Sequence, residues 1–101
     1  MGLEIAIDRL YHAGWSAMDS RGCGFAGDGR AYPLPDRVMR ECADLGVDLS
    51  LTRVELFDCV RAEWVGGEEG PSGAAVAGSA EEAAVYALSR CLAARPVALK
   101  A

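Results

Sequence analysis

Between residues 54 and 65 the chain reads VELFDCVRAEWV. Val60, Ala62 and Trp64 alternate with Arg61 and Glu63, the period of two that marks a half-buried strand. Gly66-Gly67 and Gly70-Pro71 interrupt it with a connection longer than a two-residue hairpin turn. Ala74–Ala77 then forms a short apolar segment that returns antiparallel beside the first strand. Its small residues make it a poor strand on propensity alone, so it needs a partner. The start of the first strand is ambiguous. A strand from near Val54 fits the pattern. However, Thr52-Arg53-Val54-Glu55 also matches a capping box with Leu51 and Leu56 as a hydrophobic staple, which would give a short helix from Arg53 to about Cys59 and leave only Val60–Val65 as strand.

A period near 3.6 appears in three places. Ser79-Ala80-Glu81-Glu82 is a capping box: the Ser79 hydroxyl accepts the Glu82 amide, and the Glu82 carboxylate reaches back to the amide of Ser79. Ala84, Ala87, Leu88 and Cys91, with Leu92 beside them, form one apolar stripe, which predicts a helix over 80–93 packed closely on a sheet and stopped by Pro96. Leu3, Ala6, Ile7, Leu10 and Tyr11 make one side of a helix over 3–13, ended by Gly14. Val38, Met39, Cys42 and Leu45 make the inner side of a helix over 36–45. It starts at Pro35 or Asp36 and ends at Gly46, and Arg37, Arg40, Glu41 and Asp44 face water. Asp48–Leu51 reads as a connection. Trp15, Ala17 and Met18 suggest a short strand, and Pro96–Ala101 a flexible tail in which Val97 and Leu99 add an edge strand or fray.

Residues 19–33, DSRGCGFAGDGRAYP, predict a loop or irregular hairpin pinned to the core by Phe25 and Tyr32, whose aromatic burial offsets the entropy of ordering glycines. The elements together predict a small two-layer α+β domain over residues 1–101. An antiparallel sheet of two to four strands packs against about three helices. Two alanine-rich strands are marginal alone, so either Trp15–Met18 or the 23–32 loop adds a strand, or an open edge is closed by forming a homodimer.

The chain has 101 residues, 51% of them apolar, which suits one core and argues against disorder. Its net charge is −5. Residues 1–50 carry eight acidic and five basic side chains and residues 51–101 seven and five, so the excess is evenly spread. Direct nucleic-acid binding needs a basic surface and is not expected. The N-terminal stretch, with Glu4 and Asp8, lacks the pattern of a signal peptide, and no apolar run reaches membrane-spanning length. Four scattered cysteines then suggest a cytoplasmic protein with reduced thiols and no membrane partner.

Candidate chemistry is sparse. Gly22–Gly27 fits GxGxxG, but Pro33 and Pro35 follow it and the next helix begins too late for a pyrophosphate site. His12 is the sole histidine, and with no CxxC or HxxxH neither a metal nor a cofactor is expected. Cys23, between glycines and near Arg21, is the one cysteine off an apolar face. A nucleophilic role would require His12 as its base. Asp19, Asp28 and Asp36 flank the glycines; loop solvation explains the first two and helix capping the third. Arg21, Cys23, Phe25, Asp28 and Arg30 make up the candidate loop site for a small-molecule or enzymatic function.

Surface chemistry offers the other candidate. Glu63, Glu68 and Glu69 lie close to Trp64, and an acidic strand end with an aromatic suits a basic protein partner. Tyr86 and Val85 lie off the helix stripe and would form a second patch if exposed. The favoured expectation is therefore a non-enzymatic acidic interaction protein, an inhibitor or regulator that covers a basic surface of a nucleic-acid-handling protein. The order of elements (helix, Gly-rich middle, strand pair, capped helix) resembles the small α/β sandwich proteins of phages and mobile elements; no diagnostic motif accompanies that layout.

Overall fold

The structure is a computed structural model that describes residues 2–17, 19–67 and 70–94. It is a small α+β fold of three helices and a three-stranded antiparallel sheet, with a separate two-stranded ribbon. Helix α1 spans Leu3–His12, the ribbon pairs β1 (Cys23–Phe25) with β2 (Ala31–Pro33), and α2 spans Pro35–Asp44. Strands β3 (Asp48–Val54), β4 (Cys59–Val65) and β5 (Ser72–Ala77) pair in that spatial order, and α3 (Ala80–Ala93) closes the chain of elements.

The alternation read in residues 60–65 holds. Val60, Ala62 and Trp64 are buried, while Arg61, Glu63 and Val65 point to the open face. The third strand comes from a place the pattern did not mark. Asp48–Leu51 is not a connection but the first half of β3, with Leu49 facing Trp64 and Leu51 facing Ala62 on the inner side. Two inner leucines separated by polar residues give only a short alternation, which is why it reads as a link. The ribbon stays separate from this sheet, and Trp15 and Ala17 lie outside any strand. Met18, Pro96 and the 96–101 tail with Val97 and Leu99 lie outside the described residues.

Helix α3 is the centre of the core. It packs against all three strands of the sheet and against both other helices. Ala83, Ala84, Val85, Ala87, Leu88, Ser89 and Cys91 are all buried, so burial extends well beyond one stripe. Alanine at most of these positions lets sheet and helices approach from different sides. Val85 is fully buried and adds nothing to an exposed patch. The cap forms in one direction only: the Ser79 hydroxyl accepts the Glu82 amide at 3.1 Å, while the Glu82 side chain, itself buried, does not return a bond to the Ser79 amide.

Helix α2 begins at Pro35, the earlier of the two starts the sequence offers, with Leu34 at the cap position. Asp36 is therefore not the cap; from the first turn it favours the positive end of the helix dipole. Arg37 does not face water either, because its guanidinium reaches back to the carbonyls of Asp19 and Arg21, and Glu41 beside it is only partly exposed. Met39 and Leu45 are half-buried beside the buried Val38 and Cys42.

Candidate functional site

The segment between β3 and β4 has the most unusual surface chemistry. The pair Val54↔Cys59 closes a loop of Glu55, Leu56, Phe57 and Asp58. Glu55–Phe57 forms a single 3-10 turn, and Asp58 follows in the left-handed region with φ 48° and ψ 51°. Four-residue hairpin loops are commonly built around such a turn, and Asp tolerates the left-handed position better than most side chains. Thus neither alternative for residues 53–59 is right as a whole. The strand does not run through from Val54, and the capping-box pattern yields one turn instead of a helix. Arg53 and Asp58 brace the base of the loop through an ion pair at 2.5 Å.

Leu56 and Phe57 sit on this loop 85% and 72% exposed, the two most exposed large apolar side chains among the described residues. Leu56 does not act as a staple against Leu51. Scattered exposed apolar residues are ordinary, but two adjacent large ones on a braced, projecting turn are not. Two carboxylates, those of Glu55 and Asp58, flank them. Read as a sequence, this tip is hidden, since Leu-Phe in a chain of alternating residues looks like core.

The residues expected at the acidic strand end lie elsewhere and have other roles. Trp64 is 2% exposed, with its ring on the inner face of the sheet under the Arg90 guanidinium, 6.0 Å from the ring centre. It is a core aromatic and offers no surface to a partner. Glu63 lies on the open face, paired with Arg61 two residues away at 3.3 Å, toward the end of β4 remote from the tip. Glu68 and Glu69 lie outside the described residues. Tyr86 is half-buried, and its hydroxyl accepts from Arg90 at 2.9 Å.

The loop-site residues divide among three places. Asp28 and Arg30 pair at 2.8 Å, and Arg30 also pairs with Asp8, tying the ribbon's turn to α1. The Arg30 amide, then its guanidinium, hold the Asp28 carboxyl below its usual value. Cys23 meets Arg37, whose guanidinium donates to its sulfur at 3.1 Å. His12 instead contacts the Asp8 carbonyl at 3.2 Å. The Arg21 carbonyl accepts from Arg37 at 2.7 Å, while the Arg21 side chain is free at the surface among the described residues. Phe25 is exposed and does not anchor the loop; Tyr32, half-buried against the core, does. A groove of about 520 Å³ runs between α1 and the ribbon, lined by Ile5, Phe25, Ala26 and Tyr32 among others, and Cys23, Arg21 and Asp28 lie outside it. Among the described residues, no three His, Cys, Asp or Glu side chains are placed to hold a metal ion.

Two further cysteines meet in the core. Cys42 on α2 and Cys91 on α3 are both buried, and a hydrogen bond between the thiols together with burial pushes the Cys42 pKa up. Burial shields both thiols from reagents in solution. Titration of the folded protein with an aromatic disulfide should therefore modify Cys23 and Cys59, both half-buried, well before Cys42 and Cys91, which react only with unfolding. Four thiols reacting at one rate under native conditions would contradict this placement.

Among the described residues, no helix is long and apolar enough to cross a membrane. Comparison with protein-family models, with curated proteins and with solved structures finds no match.

Proposed function

We propose that this chain is a non-enzymatic interaction protein that docks through the β3–β4 tip onto a protein offering an apolar pocket with a basic rim. The exposure of Leu56 and Phe57 on a braced turn carries this reading. The short four-residue closure between Val54 and Cys59 limits the conformations of the turn, so inserting its two side chains orders less chain than inserting a long loop would. Large apolar anchors in a desolvated pocket are where binding energy concentrates. A net charge of −5 steers the chain toward a basic surface and away from acidic ones. A basic rim is also what a nucleic-acid-handling protein presents, so docking there would compete with nucleic acid, as an inhibitor or regulator does. Four free thiols support a reducing, cytoplasmic setting for this function.

The test is a photo-crosslinking residue at position 57, followed by affinity measurement with the captured protein. The partner is expected to be basic and to bind more weakly as salt rises. The double variant Leu56→Ser/Phe57→Ser should weaken binding by about 2 kcal/mol or more, roughly thirtyfold in Kd. Its unfolding midpoint should stay close to that of the unaltered protein, because exposed side chains contribute within about 0.5 kcal/mol. A partner that binds the double variant as tightly as the parent chain, or one with an acidic contact surface, would refute the proposal.

A further inference from the structure

Strand β5 lies at the edge of the sheet, and the hydrogen bond from the Gly66 amide to the Pro71 carbonyl at 2.7 Å shows which way its backbone faces. Gly66 and Pro71 continue the β4–β5 register by one step beyond Val65↔Ser72. In an antiparallel pair, hydrogen-bonded and non-hydrogen-bonded positions alternate. Gly66↔Pro71 is a hydrogen-bonded position, so Trp64↔Gly73, Ala62↔Ala75 and Val60↔Ala77 are too. Gly73, Ala75 and Ala77 therefore spend their amides and carbonyls on β4, while Ser72, Ala74 and Val76 turn theirs to the open edge. Among the described residues, no hydrogen bond reaches that edge from a loop or side chain.

Edge strands are usually protected by charge, proline or a bulge. This edge lacks all three. Residues 70–80 contain no charged side chain, and Pro71 precedes the strand instead of interrupting it. Within the strand no side chain carries a charge, so two copies of it meet without like charges directly opposite each other.

We propose that the β5 edge pairs antiparallel with the β5 edge of a second copy, with the two-fold axis at Ala74 and a continuous six-stranded sheet as the result. The strand is self-complementary in this register. Ala74 faces its own copy and Ser72 faces Val76 of the other copy, and all three facing pairs are of the hydrogen-bonded kind, so every edge amide and carbonyl of Ser72, Ala74 and Val76 finds a partner. A shift of two residues toward Gly78 leaves Ser72 facing a residue beyond the strand end. Ala74 is small enough to sit across the axis without a clash, and its open-face neighbour on β4 is Glu63, outside the contact. An interface of one strand pair is of the small, transient class, so the dimer dissociates on dilution. This contact is independent of the tip, and its failure would leave the docking proposal intact.

Amide exchange followed by NMR across a concentration series, with sedimentation velocity on the same samples, tests it. The Gly73, Ala75 and Ala77 amides should be protected at every concentration. The Ser72, Ala74 and Val76 amides should gain protection in step with the rise in mass toward twice 10.6 kDa. Ala74→Pro removes an edge amide and no bond to β4, so it should leave the far-UV spectrum unchanged and abolish self-association. Val76→Pro, which likewise removes an edge amide and no bond to β4, should do the same, and it serves if the Ala74 variant misfolds. A monomer at about 1 mM, or a dimer in which the Ala74 and Val76 amides stay fast, would overturn the proposal. Protection of those amides independent of concentration would overturn it too, by pointing to a strand from the same chain.

Discussion

Replacement of Trp64 by alanine is expected to cost about 3–5 kcal/mol, the usual range for removing a buried tryptophan or phenylalanine side chain. Small domains are stable by only about 5–15 kcal/mol in total, so this variant is at or near the limit of folding at physiological temperature. The melting temperature should fall by roughly 12 °C or more, taking about 4 °C per kcal/mol as the lower bound. The ring is 2% exposed, and its neighbours explain why the loss is not recovered by collapse. Across one strand boundary it faces Leu49, and across the other it faces Gly73. A Cβ at Gly73 would lie 2.7 Å from the ring, so the indole occupies the place of a side chain on β5.

The same geometry gives a sharper form of the prediction. Gly73→Ala alone should destabilise by about 1–3 kcal/mol, since the added methyl cannot enter without moving ring or strand. In the Trp64→Ala background it should cost almost nothing. Urea denaturation of the parent, both single variants and the double variant closes the cycle. Strictly additive losses would mean that the ring and the glycine are not the coupled unit described here.

Trp64 also shows which parts of the molecule were legible in the sequence. Period two puts it on the inner face, although its place beside Glu63 also read as partner surface, and the helix over 80–93 follows from its cap and stripe. Both depend on residues within a few positions of one another. Strand β3 was missed because Leu49 and Leu51 acquire their meaning only from Trp64 and Ala62, which stand opposite them after folding. The tip was missed for the converse reason. Leu56 and Phe57 have the composition of a core segment, and only the four-residue closure between Val54 and Cys59 pushes them outward. A left-handed Asp58 was the one local clue, and an aspartate alone is too common in loops to reveal it. Of the acidic end expected near Trp64, Glu63 lies on the open face, where Arg61 in the same strand already answers part of its charge.

Arg37 is the clearest case of a residue whose role is set by distant chain, and its removal is the second large effect expected. On α2 alone it occupies an outward position. In the fold, its side chain is only 12% exposed. Its Nε donates to Glu41 at 2.7 Å, while one terminal nitrogen shares its two hydrogens among the carbonyls of Asp19 at 3.0 Å and Arg21 at 2.7 Å and the Cys23 sulfur. Trp15 lies under the guanidinium, 5.6 Å from the ring centre, and its indole N–H donates to the other Glu41 oxygen at 2.8 Å. The bond with Glu41 raises the Arg37 pKa further above its already high value, so the group stays charged at any pH the fold survives. Arg37→Ala is expected to cost about 2–3 kcal/mol. Hydrogen bonds to charged groups contribute about 1.5–3 kcal/mol, and the loss falls short of the full figure for a buried pair because Glu41 keeps contact with water. The loss should be local first. Amide exchange in residues 19–23 and labelling of Cys23 should speed up more than exchange in β4. Arg37→Lys should recover less than half of the stability, since a single ammonium cannot reach Glu41 and both carbonyls from one stem. A lysine variant as stable as the parent, or an alanine variant with unchanged Cys23 labelling, would mean that the segment before β1 is held by something other than this side chain.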